Sequence, residues 1–410
     1  MRVLLMAYGS RGDVEPMVAL ALRLKESGVE ARVCAPPDFA GLLAEAGIAS
    51  APIGDPLRAM VKGALTGKAP LPDGGLAQRA AALVVTTYEA VLAAAADCDA
   101  VVATGLLPAA AAARSAAEKL GIPYVFTAYF PAYLPSPHHP PFPRPGRPFP
   151  PGETDNRVLW DLDVENMNVL FGTGLNAHRE TVGLPPVDHF RDFVLTDRPW
   201  LAADATLSPW ARPADLDVVQ TGAWLRHSAE RPLPDGLSAF LDAGEPPVYV
   251  GFGSIPMRDA EDVAKAAVEA VRARGRRVLL SRGWADLALV DDQDDCFAVG
   301  EADHHVLFRR VAAVVHHGGA GTTTTAALAG APQVVVPQIA DQPYWAGRVA
   351  GLGIGAAHDG PNPTFASLSA ALGTALAPET RARAAAVAGS IRTDGTTVAA
   401  RLLLDTIGRG

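Results

Sequence analysis

The stretch AAVVHHGGAGTT, residues 312–323, decides the fold of the second half of the chain. Ala312–His316 has the composition of a buried strand, and a helix is predicted to begin near Thr323. The glycines between them, interrupted only by Ala320, let backbone amides approach an anion closely. A P-loop is excluded because no Gly-Lys-Ser/Thr occurs here. Strand, glycine-rich turn and helix in this order predict either an anion site or a buried histidine beside a tight turn.

Both halves of the chain alternate strands with helices, which predicts two parallel sheets with helices on both faces. The predicted strands are Arg2–Tyr8, Ala31–Cys34, Ala100–Thr104 and Ile122–Ala128 in the first half, then Val218–Gln220, Val248–Phe252, Arg277–Ser281, Ala312–His316 and Gln333–Pro337. The fold class is α/β, with two doubly wound domains that would face each other across a deep cleft. In such sheets ligands bind beyond the carboxyl ends of the strands.

Domain boundaries are predicted where the pattern is interrupted. Residues 1–206 form the first domain and 218–390 the second, and Pro209 and Pro213 mark the linker at 207–217. A final helix is predicted within residues 391–410. A length of 410 residues is compatible with two domains of this size.

Composition limits the classes of partner. The formal net charge is −9 and no block of basic residues stands out, so nucleic acid and anionic membranes are not expected partners. Three scattered cysteines give no disulfide framework or metal-ligand pair, which indicates a reducing compartment. The first apolar run is too short for a signal peptide. We expect a cytoplasmic protein without stable membrane insertion, and a monomer, although the sequence leaves the oligomeric state open.

A second glycine-containing turn, Gly9-Ser10-Arg11-Gly12-Asp13, follows the first predicted strand. One interpretation makes Asp13 the N-cap of the following helix. The other uses the exposed amides and Arg11 for a phosphate and lets Asp13 face a cleft. The dinucleotide pattern G-x-G-x-x-G is not met, because Arg11 and Val14 stand where glycines are required.

Three further positions have two interpretations each. Gly251–Ser254 is a common type of strand-end turn that could also contact a ligand. Asp341-Gln342 suits a helix N-cap, and equally suits vicinal sugar hydroxyls, which need both acceptors and donors. Trp284 could stack on a base or belong to the core.

A proline-rich segment, Pro131–Gly152, contains ten prolines and is predicted to be a long surface loop. Long loops in compact domains are usually functional or disordered. His138 and His139 within it could assist proton transfer, but exposed loop positions are the simpler interpretation.

With these turns assembled, the chain resembles the GT-B nucleotide-sugar glycosyltransferases, especially the bacterial enzymes that glycosylate vancomycin-type glycopeptide antibiotics. The matching pieces are residues 1–5, 9–16, 116–123 (AAEKLGIP), 183–187 (GLPPV), 219–224 (VQTGAW), 251–254, 281–284, 316–323 and 341–344. They extend over nearly the whole chain, and their combined spacing is specific although each piece alone is not.

The resemblance implies an inverting transfer that needs no metal or other cofactor besides the nucleotide-sugar donor, with Asp13 as general base. The implied donor-binding residues are Ser10, Arg11, Ser254, Arg282, Trp284, Val299, His317, Gly319, Ala320, Gly321, Thr322, Asp341 and Gln342. Among these, residues 317–322 would hold the diphosphate, Asp341 and Gln342 the hexose, and the surroundings of Trp284 and Val299 the base. The last helix would pack back on the first domain, and Pro131–Gly152 would wall the acceptor site.

The resemblance favours UDP-glucose as donor and a phenol of a glycopeptide heptapeptide aglycone as acceptor. Gln338 before an unbroken Asp341-Gln342 is more similar to the glucose-using members than to those that use aminodeoxysugars. GlcNAc from its UDP form and a dTDP-deoxysugar are the alternative donors.

Other classes are possible on the same fold. A nucleotide-sugar epimerase would need additional carboxylates around the sugar. A catalytically silent helper is disfavoured by the intact Asp13 and His317, and an NAD oxidoreductase by the absent glycine fingerprint.

Overall fold

The computed structural model describes residues 1–57, 75–144, 146–226, 232–252, 260–281 and 293–408. Within these ranges, the first sheet contains seven strands. The strands are β1 Arg2–Tyr8, β2 Glu30–Ala35, β3 Ala49–Pro52, β4 Ala100–Gly105, β5 Tyr124–Ala128, β6 Trp200–Leu201 and β7 Val219–Gln220. Their order is β3-β2-β1-β4-β5-β6-β7, and every neighbouring pair is parallel. Val3–Ala7 in the central strand is fully buried, as expected for a sheet covered on both faces.

Helices of the first unit connect these strands. They are α1 Arg11–Glu26, α2 Ala40–Glu45, α3 Gly75–Ala94, α4 Leu107–Leu120, α5 Asn156–Met167, α6 Thr173–Thr181 and α7 Phe190–Leu195. A π-helical turn, Asn168–Gly172, joins α5 to α6. The helical region after the proline-rich segment thus consists of two α-helices with a wide turn between them.

In the part of the chain that the structure describes, the second sheet has six parallel strands. They are β8 Val248–Gly251, β9 Val278–Ser281, β10 Cys296–Val299, β11 Ala313–His316, β12 Gln333–Val335 and β13 Gly355–Ala357. Their order is β10-β9-β8-β11-β12-β13. Numbered from its own first strand this is 3-2-1-4-5-6, the order of dinucleotide-binding doubly wound sheets.

The helices of the second unit cover both faces of this sheet. They are α8 Asp235–Asp242, α9 Ala260–Arg272, α10 His304–Leu307, α11 Ala320–Leu328, α12 Gln342–Gly351, α13 Phe365–Ala375 and α14 Pro378–Ala388. One core cluster joins β8, β9 and β11 to α9 and α13, and another joins them to α8, α10 and α11. Among the described helices, none combines the length and the apolar character needed to cross a membrane.

The chain crosses between the two units more often than a single linker would require. The first unit consists of Met1–Asp204, Pro209–Arg226 and Thr393–Gly410, and the second of Ala205–Ser208 and His227–Arg392. The last helix, α15 Gly395–Ile407, belongs to the first unit. There its Ala399, Ala400 and Leu403 share a core cluster with Met17 and Leu20 of α1.

The predicted linker at 207–217 is divided between the two units. In the second unit, the Arg348 guanidinium donates to the carbonyl oxygen of Leu207 at 2.6 Å. In the first, the Trp210 amide donates to Oε1 of Gln220 at 3.0 Å. The strand predicted at Val218–Gln220 is present as β7, but its assignment to the second sheet is wrong, because β7 pairs with β6 in the first sheet.

Candidate functional site

The glycine-rich turn of the second unit lies where the strand order of its sheet reverses. β8 and β11 are neighbours, and Gly251 pairs with His316 at their carboxyl ends. The remaining strands extend outward from this pair in opposite directions, and doubly wound sheets bind ligands at such points. The turn leaves β11 at His317 and enters α11 at Ala320, three residues earlier than the predicted start near Thr323.

The N-terminus of α11 is open to an anion. Among the described residues it has no side-chain cap, and no acidic residue lies in its first turn. Gly319 is the N-cap residue, and Gly318 before it has a φ of +93°, a conformation that favours glycine. The first N–H groups of a helix have no acceptor within the helix, and the helix dipole adds partial positive charge to them. This arrangement suits a phosphate group.

The threonines of α11 divide into two groups. The hydroxyls of Thr323 and Thr324 donate back to the carbonyl oxygens of Gly319 at 2.9 Å and Ala320 at 2.8 Å. Thr322 is partly exposed and Gly321 is exposed. The residues predicted to hold a diphosphate therefore form the accessible first turn of the helix, while the next two threonines stabilise it.

His317 lies over this turn. Its Nδ1 atom is buried without a hydrogen-bond partner among the described residues. A Cβ at position 319 would lie only 2.7 Å from Nε2 of His317, so the imidazole packs closely against Gly319. Burial lowers the pKa of His317 to about 4, so the imidazole is neutral near pH 7. A neutral imidazole beside an open helix N-terminus can donate one hydrogen bond to an anion.

Asp341 precedes α12 at the same edge of the sheet. It occupies the N-cap position, but its side chain makes no capping hydrogen bond. Instead, Oδ2 accepts from the indole N–H of Trp345 at 2.9 Å. Burial raises the pKa of Asp341 to about 6, and the indole hydrogen bond opposes this rise. A partly exposed carboxylate in this environment is stabilised by additional hydrogen-bond donors, such as sugar hydroxyls.

Gln342 has a structural role that constrains its predicted function. Its buried Oε1 accepts from the amides of Gln338 at 2.7 Å and Ile339 at 3.0 Å. The carboxamide can therefore offer a sugar its NH₂ group more readily than its oxygen. A Cβ on Gly318 would lie 3.4 Å from Cβ of Gln342, so the predicted diphosphate and sugar residues are adjacent.

The turn of the first unit is capped by its own side chains. Ser10 is the N-cap residue of α1, and its Oγ accepts from the Gly12 amide at 3.2 Å. Oδ2 of Asp13 accepts from the Ser10 amide at 2.7 Å, which completes a capping box. Asp13 is therefore the third residue of the helix, where the first interpretation had made it the N-cap. Arg11 pairs with Glu15 at 2.9 Å.

Aromatic side chains line the surroundings of Asp13. The Tyr129 hydroxyl donates to the carbonyl oxygen of Asp13 at 3.1 Å. Burial raises the pKa of Tyr129 well above its usual value, and the Asp13 charge acts in the same direction. Tyr133 donates to the carbonyl oxygen of Gly105, where β4 ends beside β1. Leu106 follows Gly105 and is 49% exposed, so this edge of the sheet offers an apolar surface.

Side-chain hydrogen bonds and an ion pair hold the proline-rich segment against α5. Arg144 forms a bidentate ion pair with the fully buried Asp163, at 2.8 and 3.2 Å. The Trp160 indole donates to the carbonyl oxygen of His139 at 2.9 Å. His139 packs edge-on against Trp160 and Trp210 and is only partly exposed, so its interpretation as an exposed loop residue is wrong. His138 is exposed.

Some predicted site residues are not placed in a ligand site. Ser254, Arg282 and Trp284 lie outside the described residues. The side chain of Val299 is 3% exposed and belongs to a core cluster with Phe308, so its contribution to a ligand site is limited to its backbone.

The structure adds three residues that the sequence interpretation did not assign. They are Trp345, which donates to the Asp341 carboxylate, His316, which accepts from the Gly318 amide, and Tyr129, which donates to the carbonyl oxygen of Asp13. Trp345 lies four residues after Asp341, on the same helix face, and this spacing was an available signal. The contact between Tyr129 and Asp13 joins residues 116 apart in the sequence, and the His316 contact depends on the geometry of the glycine turn.

Comparisons with known proteins cover the whole chain. Residues 3–136 match the glycosyltransferase family 28 N-terminal domain, and residues 293–398 match the C-terminal domain of erythromycin biosynthesis protein CIII-like proteins. The chain is 56% identical over 409 residues to the vancomycin aglycone glucosyltransferase of Amycolatopsis orientalis, covering 100% of this chain and 98% of the relative. It is 52% identical over 411 residues to the dTDP-epi-vancosaminyltransferase of the same organism, covering 99% and 98%.

Solved structures show the same fold. The crystal structure of the kitacinnamycin glycotransferase aligns with a TM-score of 0.71 at 22% identity, covering 99% of this chain and 98% of that one. At this identity the likeness concerns the fold, and it agrees with the two doubly wound sheets described above.

Proposed function

Because the chain belongs to the GT-B glycosyltransferases, in the group of the vancomycin-type enzymes of Amycolatopsis orientalis, we propose that it transfers glucose from UDP-glucose to a phenolic hydroxyl of a glycopeptide heptapeptide aglycone. The transfer would invert the anomeric carbon and proceed without a metal. The observation that carries the donor half of this proposal is the uncapped N-terminus of α11 with His317 over it.

The donor diphosphate would lie on the first turn of α11. The amides of Ala320, Gly321 and Thr322 would donate to its oxygens, and His317 would add one hydrogen bond through a neutral imidazole. As the bond from the anomeric carbon to the diphosphate breaks, negative charge grows on the leaving group. Donors that are already oriented stabilise that charge without reorganisation, which is why no cation is required in this scheme.

The sugar would be held by Asp341 and Gln342. Their arrangement pairs a carboxylate acceptor with an NH₂ donor, which matches the vicinal hydroxyls of glucose. The two relatives differ in the sugars that their names state, glucose for one and epi-vancosamine for the other, yet their identities to this chain are 56% and 52%. Overall similarity therefore does not decide the sugar, and a dTDP-deoxyaminosugar or UDP-GlcNAc is the alternative donor.

Asp13 would act as the general base. Its carboxylate takes the proton of the acceptor hydroxyl, the acceptor oxygen bonds to the anomeric carbon, and the diphosphate departs with the electron pair of the broken bond. A phenol suits this base because its proton is far more acidic than that of an aliphatic alcohol. The exposed Leu106 and the ring of Tyr133 provide apolar surface for an aromatic acceptor on the same unit.

A donor panel tests the proposal. The purified enzyme is incubated with a vancomycin-type heptapeptide aglycone and UDP-glucose, UDP-GlcNAc or a dTDP-deoxyaminosugar, with and without EDTA, and products are read by mass spectrometry. We expect glucosylated aglycone from UDP-glucose, at a rate that EDTA does not change. Transfer only from a dTDP-sugar would replace the donor assignment, and loss of activity in EDTA would overturn the metal-free scheme. UDP-glucose without acceptor serves as the control and should remain unchanged.

A further inference from the structure

A buried hydrogen-bond chain lies directly beneath the glycine turn. The Gly318 amide donates to Nδ1 of His316 at 3.1 Å. Nε2 of the same imidazole is 2.8 Å from Oε1 of Gln333. Both side chains are 0% exposed. The chain therefore connects the backbone of the turn to the neighbouring strand β12 through a single histidine.

The sheet register explains why these two side chains meet. Gln333 pairs with Val314, two residues before His316 on β11. Alternate residues of a strand share a face, and paired residues of parallel strands point to the same side. Gln333 therefore projects diagonally toward His316 on one face of the sheet.

Only one state of the imidazole is compatible with this chain. Because Nδ1 accepts from Gly318, the proton of a neutral ring must be on Nε2, which then donates to Gln333. An imidazolium would direct an N–H at the Gly318 amide, so two donors would oppose each other. Burial lowers the pKa of His316 to about 3, which keeps the ring neutral.

The Gly318 amide is drawn inward by this bond. Gly318 adopts a φ of +93° and packs closely against Val335 and Gln342, so the turn has little freedom to rearrange around the histidine. The next amides, those at the start of α11, are the ones left to face a ligand. The orientation of these amides thus depends on a bond that the ligand never touches.

We infer that His316 is a positioning residue for the donor diphosphate, and that Gln333 fixes the tautomer in which it holds the Gly318 amide. The inference rests on the proposed function, since it assumes that the first turn of α11 binds the diphosphate. A role limited to stability predicts loss of fold stability without a specific loss of nucleotide affinity.

The test compares UDP binding, measured by calorimetry, in the wild-type chain and in Gln333→Met, which keeps side-chain bulk but removes the acceptor for Nε2–H. We expect the dissociation constant for UDP to rise about five- to tenfold, the effect of one buried hydrogen bond. In nitrogen-15 NMR of the protein with labelled histidines, the His316 signals should show only the Nε2–H tautomer in the wild type and a mixture of tautomers in Gln333→Met.

Thr380→Val is the matched control. It removes another buried hydrogen bond of the second unit, from the Thr380 hydroxyl to the carbonyl oxygen of Thr374 at 2.8 Å. It should lower the melting temperature comparably and leave UDP affinity unchanged. If Gln333→Met binds UDP as tightly as the wild-type chain does, the inference is overturned and the proposed function is not. A wild-type chain that fails to bind UDP would overturn the proposed UDP donor site, and the inference with it.

Discussion

The two glycine-containing turns occupy comparable places but treat the helix that follows in opposite ways. Each leaves one of the two strands that flank the reversal of strand order in its own sheet, β1 in the first unit and β11 in the second. In the first, Ser10 and Asp13 close a capping box over the start of α1. In the second, the start of α11 has neither a side-chain cap nor an acidic residue among the described residues.

This difference separates two kinds of chemistry. The carboxylate in the first turn of α1 already interacts favourably with the helix dipole and accepts a hydrogen bond from an amide. A second anion would therefore be repelled by its negative charge. The open start of α11 attracts an anion for the same electrostatic reason. A base that must take a proton and a site that must hold a diphosphate thus require opposite uses of one structural element.

The largest effect is expected at the capped turn. Asp13→Asn keeps an oxygen that can accept from the Ser10 amide, but an amide cannot take the acceptor proton. We expect kcat to fall about 10²- to 10⁴-fold, the usual contribution of a general base. UDP affinity and melting temperature should stay near the wild-type values.

Turnover is measured with the glycopeptide aglycone and the active donor. Glu26→Gln, at the other end of α1, is the control and should retain normal turnover. An Asp13→Asn variant that works at the wild-type rate would show that this carboxylate serves only the helix cap.

A smaller effect is expected when the open turn is made to resemble the capped one. Thr322 is the third residue of α11, the position that Asp13 occupies in α1. Thr322→Asp should weaken UDP binding about 10- to 100-fold, because a carboxylate would face the diphosphate. The helix itself should gain about 0.3–1 kcal/mol from the added charge.

Thr322→Asn separates charge from the loss of the hydroxyl, since asparagine has nearly the same shape as aspartate. We expect this variant to lose much less affinity for UDP. Equal losses in both variants, measured by calorimetry at low ionic strength, would refute the electrostatic account of the open turn.

Much of the fold could be predicted from the sequence because its central strands are apolar runs followed by turns. β1, β4 and β11 are such runs, and the structure confirms the two parallel sheets. Four strands were not predicted: β3 (ASAP), β6 (WL), β10 (CFAV) and β13 (GAA). β3 and β13 consist mostly of small residues, and all four are too short for a clear periodic signal. β7 was assigned to the wrong sheet because a two-residue strand does not specify its neighbour.

The candidate site was predictable in its residue types and less so in its bonds. The glycine pattern indicated a candidate anion site at α11, and the structure shows a helix start without a side-chain cap there. The capping role of Ser10 and the contact from Tyr129, which is 116 residues from Asp13 in sequence, depend on local geometry and tertiary packing. The same limit applies to His316 and Gln333, whose meeting requires the register of two strands.

The smallest effect extends the comparison to the two carboxylates. Backbone and hydroxyl groups of Ser10 hold Asp13, whereas an indole N–H holds Asp341, whose pKa is raised to about 6 by burial. Above that pKa, Asp341 is ionised and would accept hydrogen bonds from sugar hydroxyls under the proposed function, and this ability would be lost as the pH falls through 6. Trp345→Phe removes the hydrogen bond that opposes the rise, so the pKa should increase by about one unit. The KM for the donor should then rise severalfold at pH 6.5 and little at pH 8.5. Tyr344→Phe, which loses only a hydroxyl on the same helix, is the control and should keep the wild-type dependence of KM on pH. A Trp345→Phe profile that coincides with the wild type would mean that the indole does not tune Asp341 and that the two carboxylates differ only in their surroundings.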